Sequence, residues 1–394
     1  MNKKELLVLY GKRYKTMTKE LLERAGLDAL IPKKDTLIGI KPNLLGQVLA
    51  EEGGTTHPEV VAGLIEYLQE HGFTKLILLE GSWVGDRTGE AVHFCGFDRL
   101  CEQYGVPFFD MQKEPGVETD CGGMMLNLCR KALEVEYLIN VPVLKGHCQT
   151  RITCALKNMK GLIPNSEKRR FHRMGLHNPI GHLSAGLHQD FILTDSICGD
   201  LTFEDGGNPV EQNRLIAALD PVLMDAYGCF LLGIPLESVP YIATAAKLGI
   251  GSCDLAHAVI RTWREKEDME KVSYPEQSGP DLMAVPEAEG YRHVMKLAEK
   301  AEEVDSCSAC YGYLIPALKM LEEDGLLDAL QEKICIGQGY RGRCKNLGVG
   351  NCTREFVHTV GGCPPTETQM YEFLKEYLEA GMAVSEKQTE YEEH

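Results

Sequence analysis

Along the first two thirds of the chain, apolar positions follow two periods in turn. Short β-type runs at Leu6 to Tyr10, Thr36 to Lys41, Lys75 to Glu80, Pro107 to Asp110, Tyr137 to Leu144, Phe191 to Asp195 and Leu215 to Leu219 are separated by segments with helical spacing. The clearest of these is His57 to His71, which sets Val60, Val61, Leu64, Ile65 and Leu68 on one face and stops at Gly72. Met17 to Ala25, Gly89 to Tyr104, Val222 to Leu232 and Tyr241 to Leu248 are also predicted helices. This alternation predicts an α/β fold, a mostly parallel sheet with helices on both faces. Ligands of such sheets sit beyond the carboxyl ends of the strands. The segments to read are therefore Lys41-Pro42-Asn43, Glu80-Gly81-Ser82, Asn140 to His147, Asp195 and Asp220 to Asp225. Neither GxGxxG after a strand nor GxxxxGK[ST] occurs, which disfavours the usual nicotinamide enzymes.

The pattern changes near residue 265. Residues 1–264 read as the α/β domain, and 265–290, charged and carrying Pro275, Pro280 and Pro286, as a connecting region. Residues 291–384 read as a smaller, α-rich, cysteine-rich module, and 385–394 as a polar tail expected to fray. The net charge of −17 over 394 residues, with no dense basic patch, argues against nucleic-acid binding. No run approaches the ~20 apolar residues of a membrane span, and Leu6 to Tyr10 is too short for a signal segment. A cytoplasmic protein without a membrane partner is expected. In a reducing compartment the 15 cysteines are not a disulfide framework; each is a buried hydrophobe, a ligand or a nucleophile. Cys95, Cys101, Cys121, Cys129, Cys148, Cys154, Cys198, Cys229 and Cys253 show no ligand spacing and read mostly as core filler.

The C-terminal cysteines differ. Cys307 and Cys310 form a CxxC opening a helix predicted at Tyr313 to Glu322, where backbone amides favour thiolate. Cys352 lies in Asn351-Cys352-Thr353 and Cys363 in Gly362-Cys363-Pro364-Pro365, a Cys-Pro step also found in iron–sulfur ligation. Nearby glycines would let the backbone bend around a cluster. Spacing leaves three readings open: a 4Fe-4S cluster, zinc (although the second CxxC of a zinc ribbon is missing), and a redox dithiol or buried thiols.

The second constellation is a buried strand that delivers Lys145 and His147 at its carboxyl end, followed by Arg151, Lys157, Asn158 and Lys160. Lysine can hold a carboxylate or phosphate, and histidine can move protons near neutrality. Lys41, Asn43, Glu80, Lys157, Lys160 and Asp195 are expected to line the same pocket, with Glu80 and Asp195 as internal partners of the ammonium groups. The segment 166–188, rich in Arg and His, reads instead as a solvated surface insertion. Asp220 reads as a helix N-cap, while Glu204-Asp205-Gly206-Gly207 and Asp225 remain open as cation ligands or caps.

Lys41-Pro42-Asn43, Thr56-His57-Pro58-Glu59, Glu80-Gly81, Asn140-Val141-Pro142 with Lys145-Gly146-His147, and Lys157-Asn158 with Lys160-Gly161 occur in order. Together with the Asp195 and Asp220 segments they resemble the domain-of-unknown-function 362 family over roughly residues 35 to 235. The family domain is often joined to an iron–sulfur module with compact CxxCxxC runs. This chain lacks such a run. Its C-terminus resembles a variant with CxxC, Ile336-Gly337-Gln338-Gly339, Gly350 to Thr353 and Gly362 to Pro365. The resemblance implies a 4Fe-4S cluster and selects Cys307, Cys310, Cys352 and Cys363 as its ligands, leaving Cys335 and Cys344 as spares; zinc is the alternative metal.

The expectation is an iron–sulfur enzyme of anaerobic metabolism, an oxidoreductase acting on a small anionic substrate, with Lys145 fixing the anion and His147 moving a proton. An electron-transfer partner protein fits this reading, and oligomeric state is left open. The rivals are a lyase or isomerase that uses the cluster as a Lewis acid, and a non-catalytic cluster or metal carrier or maturation protein.

Overall fold

The computed structural model describes residues 1–200, 209–265, 277–278 and 289–392. The chain divides into two compact units, Met1–Ala288 and Glu289–His394. The expected connecting region lies largely outside the described residues, as does the acidic motif at 204–207.

The strands of the first unit are β1 (Glu5–Tyr10), β2 (Ile38–Pro42), β3 (Leu76–Glu80), β4 (Phe108–Asp110), β5 (Gly116–Asp120), β6 (Met125–Cys129), β7 (Tyr137–Val141), β8 (Lys145–His147), β9 (Arg151–Thr153), β10 (Phe191–Asp200), β11 (Pro209–Ala218), β12 (Val259–Arg264) and β13 (Gln277–Ser278). Nine form one sheet in the order β13-β12-β1-β11-β10-β7-β2-β3-β4. Every pairing is parallel except those of β11 with its two neighbours and of β12 with β13. The fold is therefore the α/β class that the periodicity predicts.

Alternation along the strands explains the layering. Leu7, Leu9, Ile38, Ile40, Leu76, Leu78, Ile139 and Leu193 face one core, closed by helices Tyr14–Ala25, Pro58–Glu70 and Phe97–Tyr104. Leu6, Val8, Ile77, Leu79, Leu138 and Ile192 face the other, closed by helices His177–Gly186, Pro221–Leu231 and Pro240–Lys247. Helices on both faces bury the sheet twice, so its strands read as unbroken apolar runs.

Several expected boundaries shift for local reasons. The helix expected over Gly89 to Tyr104 is two, Thr88–Phe94 and Phe97–Tyr104, because Gly96 adopts φ 78° between them. The strand expected to run to Leu144 ends at Val141, before Pro142, which cannot donate a ladder hydrogen bond, and only a single bridge of Val143 to Asp195 follows. Lys145 and His147 then form β8, a separate hairpin arm paired with β9, with Lys145 opposite Thr153 and His147 opposite Arg151. Asp195 does not end its strand, since β10 continues to Asp200. The 166–188 segment is not a solvated insertion. Helices Asn165–Arg173 and His177–Gly186 are packed, with Lys168, Phe171, His172, Ile180 and Leu183 buried.

The second unit carries β14 (Ala301–Glu303), β15 (Ile334–Ile336), β16 (Leu347–Val349) and β17 (His358–Val360), paired in parallel in that order. The helix after the CxxC spans Ser308–Glu323, one turn earlier than expected, and a last helix runs Glu367–Glu392, through most of the tail expected to fray. No helix among the described residues is long and apolar enough to cross a membrane.

Candidate functional site

At the carboxyl edge of the sheet, β2 and β3 deliver Lys41 and Glu80, which are 0% and 3% exposed and form an ion pair. Lys41 Nζ also donates to Pro42 O at 2.8 Å. A β-carbon at Gly161 would overlap Glu80 Oε1 and lie 2.6 Å from Lys41 Nζ, so the Lys160-Gly161 turn closes over the pair because residue 161 has no side chain. Burial, then the ammonium groups of Lys168 and Lys157, push the Lys41 pKa well below the ordinary lysine value.

Lys168 joins this group from helix Asn165–Arg173. Its Nζ donates to Gly81 O at 2.8 Å and to Ser82 O at 2.7 Å, the turn after β3. Burial lowers its pKa to about 8. Lys157 donates to Thr153 Oγ1 at 3.1 Å, and Thr153 stands opposite Lys145 in the hairpin. Lys157 and Lys168 thus stand near enough to act on Lys41, and Lys145 is buried across the hairpin from Thr153. Lys160 is half-buried in the turn Met159–Leu162.

Asparagines fix the floor. Asn140 donates to Ala155 O at 2.9 Å and Gln189 Oε1 at 2.6 Å, and accepts from Asn158 Nδ2 at 2.7 Å. Asn43 is held by its backbone, N to Thr56 Oγ1 at 2.7 Å, while its buried Oδ1 meets no partner among the described residues.

Two expected roles change. Asp195 pairs with His57 and not with an ammonium group: its Oδ2 accepts from His57 N at 2.7 Å and meets His57 Nδ1 at 2.9 Å, and its Oδ1 accepts from Ile197 N at 3.0 Å. Burial pulls the His57 pKa down, but the charge and hydrogen bond of Asp195, with Glu51 and Glu59, outweigh it and leave the value raised. His147 Nδ1 accepts the backbone N–H of Gln149 and of Thr150, each at 3.0 Å, which puts the proton of the neutral ring on Nε2. His147 is therefore built to donate a hydrogen bond, and moving a proton through Nδ1 would cost both backbone contacts.

Sequence reading missed His57 and Lys168. His57 stands inside the Thr56-His57-Pro58-Glu59 motif at a helix start, and Lys168 shares a helix face with Phe171 and His172; both signals were present. Asp220 caps helix Pro221–Leu231 by accepting from Val222 N and Leu223 N at 2.8 and 3.0 Å. Asp225 is buried on the same helix, accepts from Leu156 N at 3.2 Å and has its pKa raised by burial to about 7.

In the second unit, Cys307 is the N-cap of helix Ser308–Glu323 and Cys310 lies in its first turn. Gln338 Nε2 donates to Cys307 Sγ at 3.7 Å. A β-carbon at Gly350 would sit 3.8 Å from Cys310 Sγ. Asn351 N donates to Gly362 O at 2.8 Å and Gly362 N to Asn351 Oδ1 at 2.9 Å, which ties the backbone just before Cys352 to that just before Cys363. Arg341 is held above its ordinary pKa by a hydrogen bond and the charge of Cys352, then by Cys363 and Cys307. Cys335 is instead buried in β15 and Cys344 is exposed. Among the described residues no three His, Cys, Asp or Glu side chains are grouped to hold a single metal ion.

A thylakoid-associated protein of Synechocystis sp. is 25% identical over 237 residues, 58% of this chain and 73% of that protein. Among solved structures, the lactate racemase apoprotein of Thermoanaerobacterium thermosaccharolyticum matches at TM-score 0.39 and 15% identity, over 57% of this chain. A Thermotoga maritima protein from structural genomics matches at TM-score 0.32 and 13% identity, over 75% of this chain. The chain spans 56% and 61% of those two structures. Residues 38–230, which hold every strand end of the cationic cleft, match the family described as Domain of unknown function (DUF362).

Proposed function

We propose that the protein is an iron–sulfur oxidoreductase, with a 4Fe-4S cluster on Cys307, Cys310, Cys352 and Cys363 and a cleft in the first unit for a small anionic metabolite. The observation that carries this reading is that Cys307, Cys352 and Cys363 all act on one side chain, Arg341, while Cys310 Sγ stands against the Gly350 turn. Bound there, a cluster would supply single electrons. Arg341 offsets the negative charge of the thiolates, and Gln338 donates to a sulfur, both of which favour a reduced state. In the first unit, Lys41, Lys145, Lys157 and Lys168 are buried and Lys41 pairs with Glu80, a concentration of ammonium groups that suits an anionic substrate. His147 adds a hydrogen-bond donor. A pure cluster carrier has no use for such a cleft, which favours an enzyme. A cytoplasmic location, where thiols stay reduced, suits such thiolate ligands.

The test is anaerobic purification with iron, sulfide and zinc measured on one sample. About four irons and four sulfides per chain are expected, with a paramagnetic signal on dithionite reduction. Cys363→Ala should lose most of the iron and Cys344→Ala none. Equal loss from both variants, or stoichiometric zinc without sulfide, would overturn the reading; a full cluster that no reductant reduces would leave the Lewis-acid lyase or isomerase in its place.

A further inference from the structure

We infer that His57 is the proton-transfer residue of the cleft, oriented by Asp195 and acting on a small carboxylate held by Lys145. The inference deepens the reading of the first unit as an anion site and does not depend on the cluster.

The turn Gly53 to His57 brings these groups together. Lys145 Nζ donates to Gly54 O at 2.7 Å, and Thr56 Oγ1 donates to Val141 O at 2.8 Å. His57 follows at once, bound to Asp195 through both its backbone N and its ring. Asp195 is itself stitched to the chain just before Lys145: its N donates to Pro142 O and its O accepts from Leu144 N, each at 2.8 Å. The turn is this close because Gly53, at φ 83°, would press any β-carbon to 2.5 Å from Asp200 N.

The hydrogen-bond pattern assigns the protons. An ionised Asp195 can only accept, so Nδ1 of His57 carries the hydrogen and Nε2 carries the lone pair. His147 has the opposite arrangement, its Nδ1 committed to two backbone N–H groups. His57 therefore offers a base and His147 a donor. Nε2 of His57 takes the proton from a hydroxyl or C–H adjacent to the substrate carboxylate. The bonding pair stays on the substrate as an alkoxide or enolate opposite the Lys145 ammonium, and the imidazolium stays paired with Asp195. No electron leaves the substrate in this step.

The groups facing His57 are Asp195 on β10, Glu51 in the turn Ala50–Glu52, Glu59 on its own helix, and the Tyr14 ring, edge-on at 5.2 Å between centroids. The acids all favour the imidazolium once formed.

The experiment uses the full chain and diethyl pyrocarbonate, which acylates an unprotonated ring nitrogen, with the modified histidines mapped by mass spectrometry. His57 should react at a rate comparable to the exposed His93 and His257, although it is buried, and His147 should lag at least tenfold. Nitrogen-15 spectra, assigned with His57→Gln, should show the His57 proton on Nδ1. Asp195→Asn should lower the His57 titration midpoint. Oxalate, the carboxylate probe, should protect His57 in the wild type and not in Lys145→Met. An unreactive His57, or a proton on its Nε2, overturns the assignment without any variant having to fold. Absence of oxalate protection in the wild type overturns the link to Lys145. Iron content measured on the same samples reports the cluster separately.

Discussion

The buried pair of Lys41 and Glu80 gives the sharpest energetic test. Replacing Glu80 by Leu leaves the Lys41 ammonium, 0% exposed, with the charges of Lys157 and Lys168 already pressing on it. Breaking a buried pair from one side costs about 3–5 kcal/mol, because the remaining ammonium keeps only the Pro42 carbonyl and no counter-charge among the described residues. Replacing both residues, as Lys41→Met with Glu80→Leu, should cost less than about 1 kcal/mol, since similar apolar volume fills the space beside Gly161. The double-mutant cycle on urea unfolding, followed by far-ultraviolet circular dichroism, should therefore return a coupling of several kcal/mol. The single variant should also recover with alkali. Lys41 titrates lower in the fold than the ordinary value of 10.5, so the unfolded chain binds more protons between those two values and stability rises with pH across that window. A loss below about 1 kcal/mol in Glu80→Leu, or a flat pH profile up to 10.5, would refute the account.

Asp225 should make the wild type less stable as pH rises from 3.8 to about 7, because the folded carboxyl holds its proton longer than the unfolded one. The loss is roughly 4 kcal/mol, and Asp225→Asn should abolish it; parallel pH profiles of melting temperature would contradict this. Asp220 accepts from three backbone N–H groups, those of Val222, Leu223 and Ser252. Asp220→Ala should lower stability by about 1–2 kcal/mol in chemical denaturation, and no change would remove its capping role.

The sequence by itself determined the α/β class, the order of the elements and the strand ends to inspect, because twofold and 3.6-fold apolar periodicities report which faces are buried. Short motifs were equally legible where a polar residue stands beside a strand end, as with Lys41, Glu80 and Lys145, or at a helix start, as with Cys307. Tertiary structure alone decided the partners. Asp195 and His57 are 138 residues apart and meet only because β10 runs beside the end of β7 and the 53–57 turn folds over it. Lys168 meets the turn after β3 because its helix packs there; its spacing with Phe171 and His172 marks a buried face but not what that face packs on. The surroundings of His147 were decided in the same way: residue type suggested a proton carrier, and the hairpin aims two backbone amides at its Nδ1. Periodicity encodes burial one element at a time, whereas pairing depends on which elements the sheet order sets side by side.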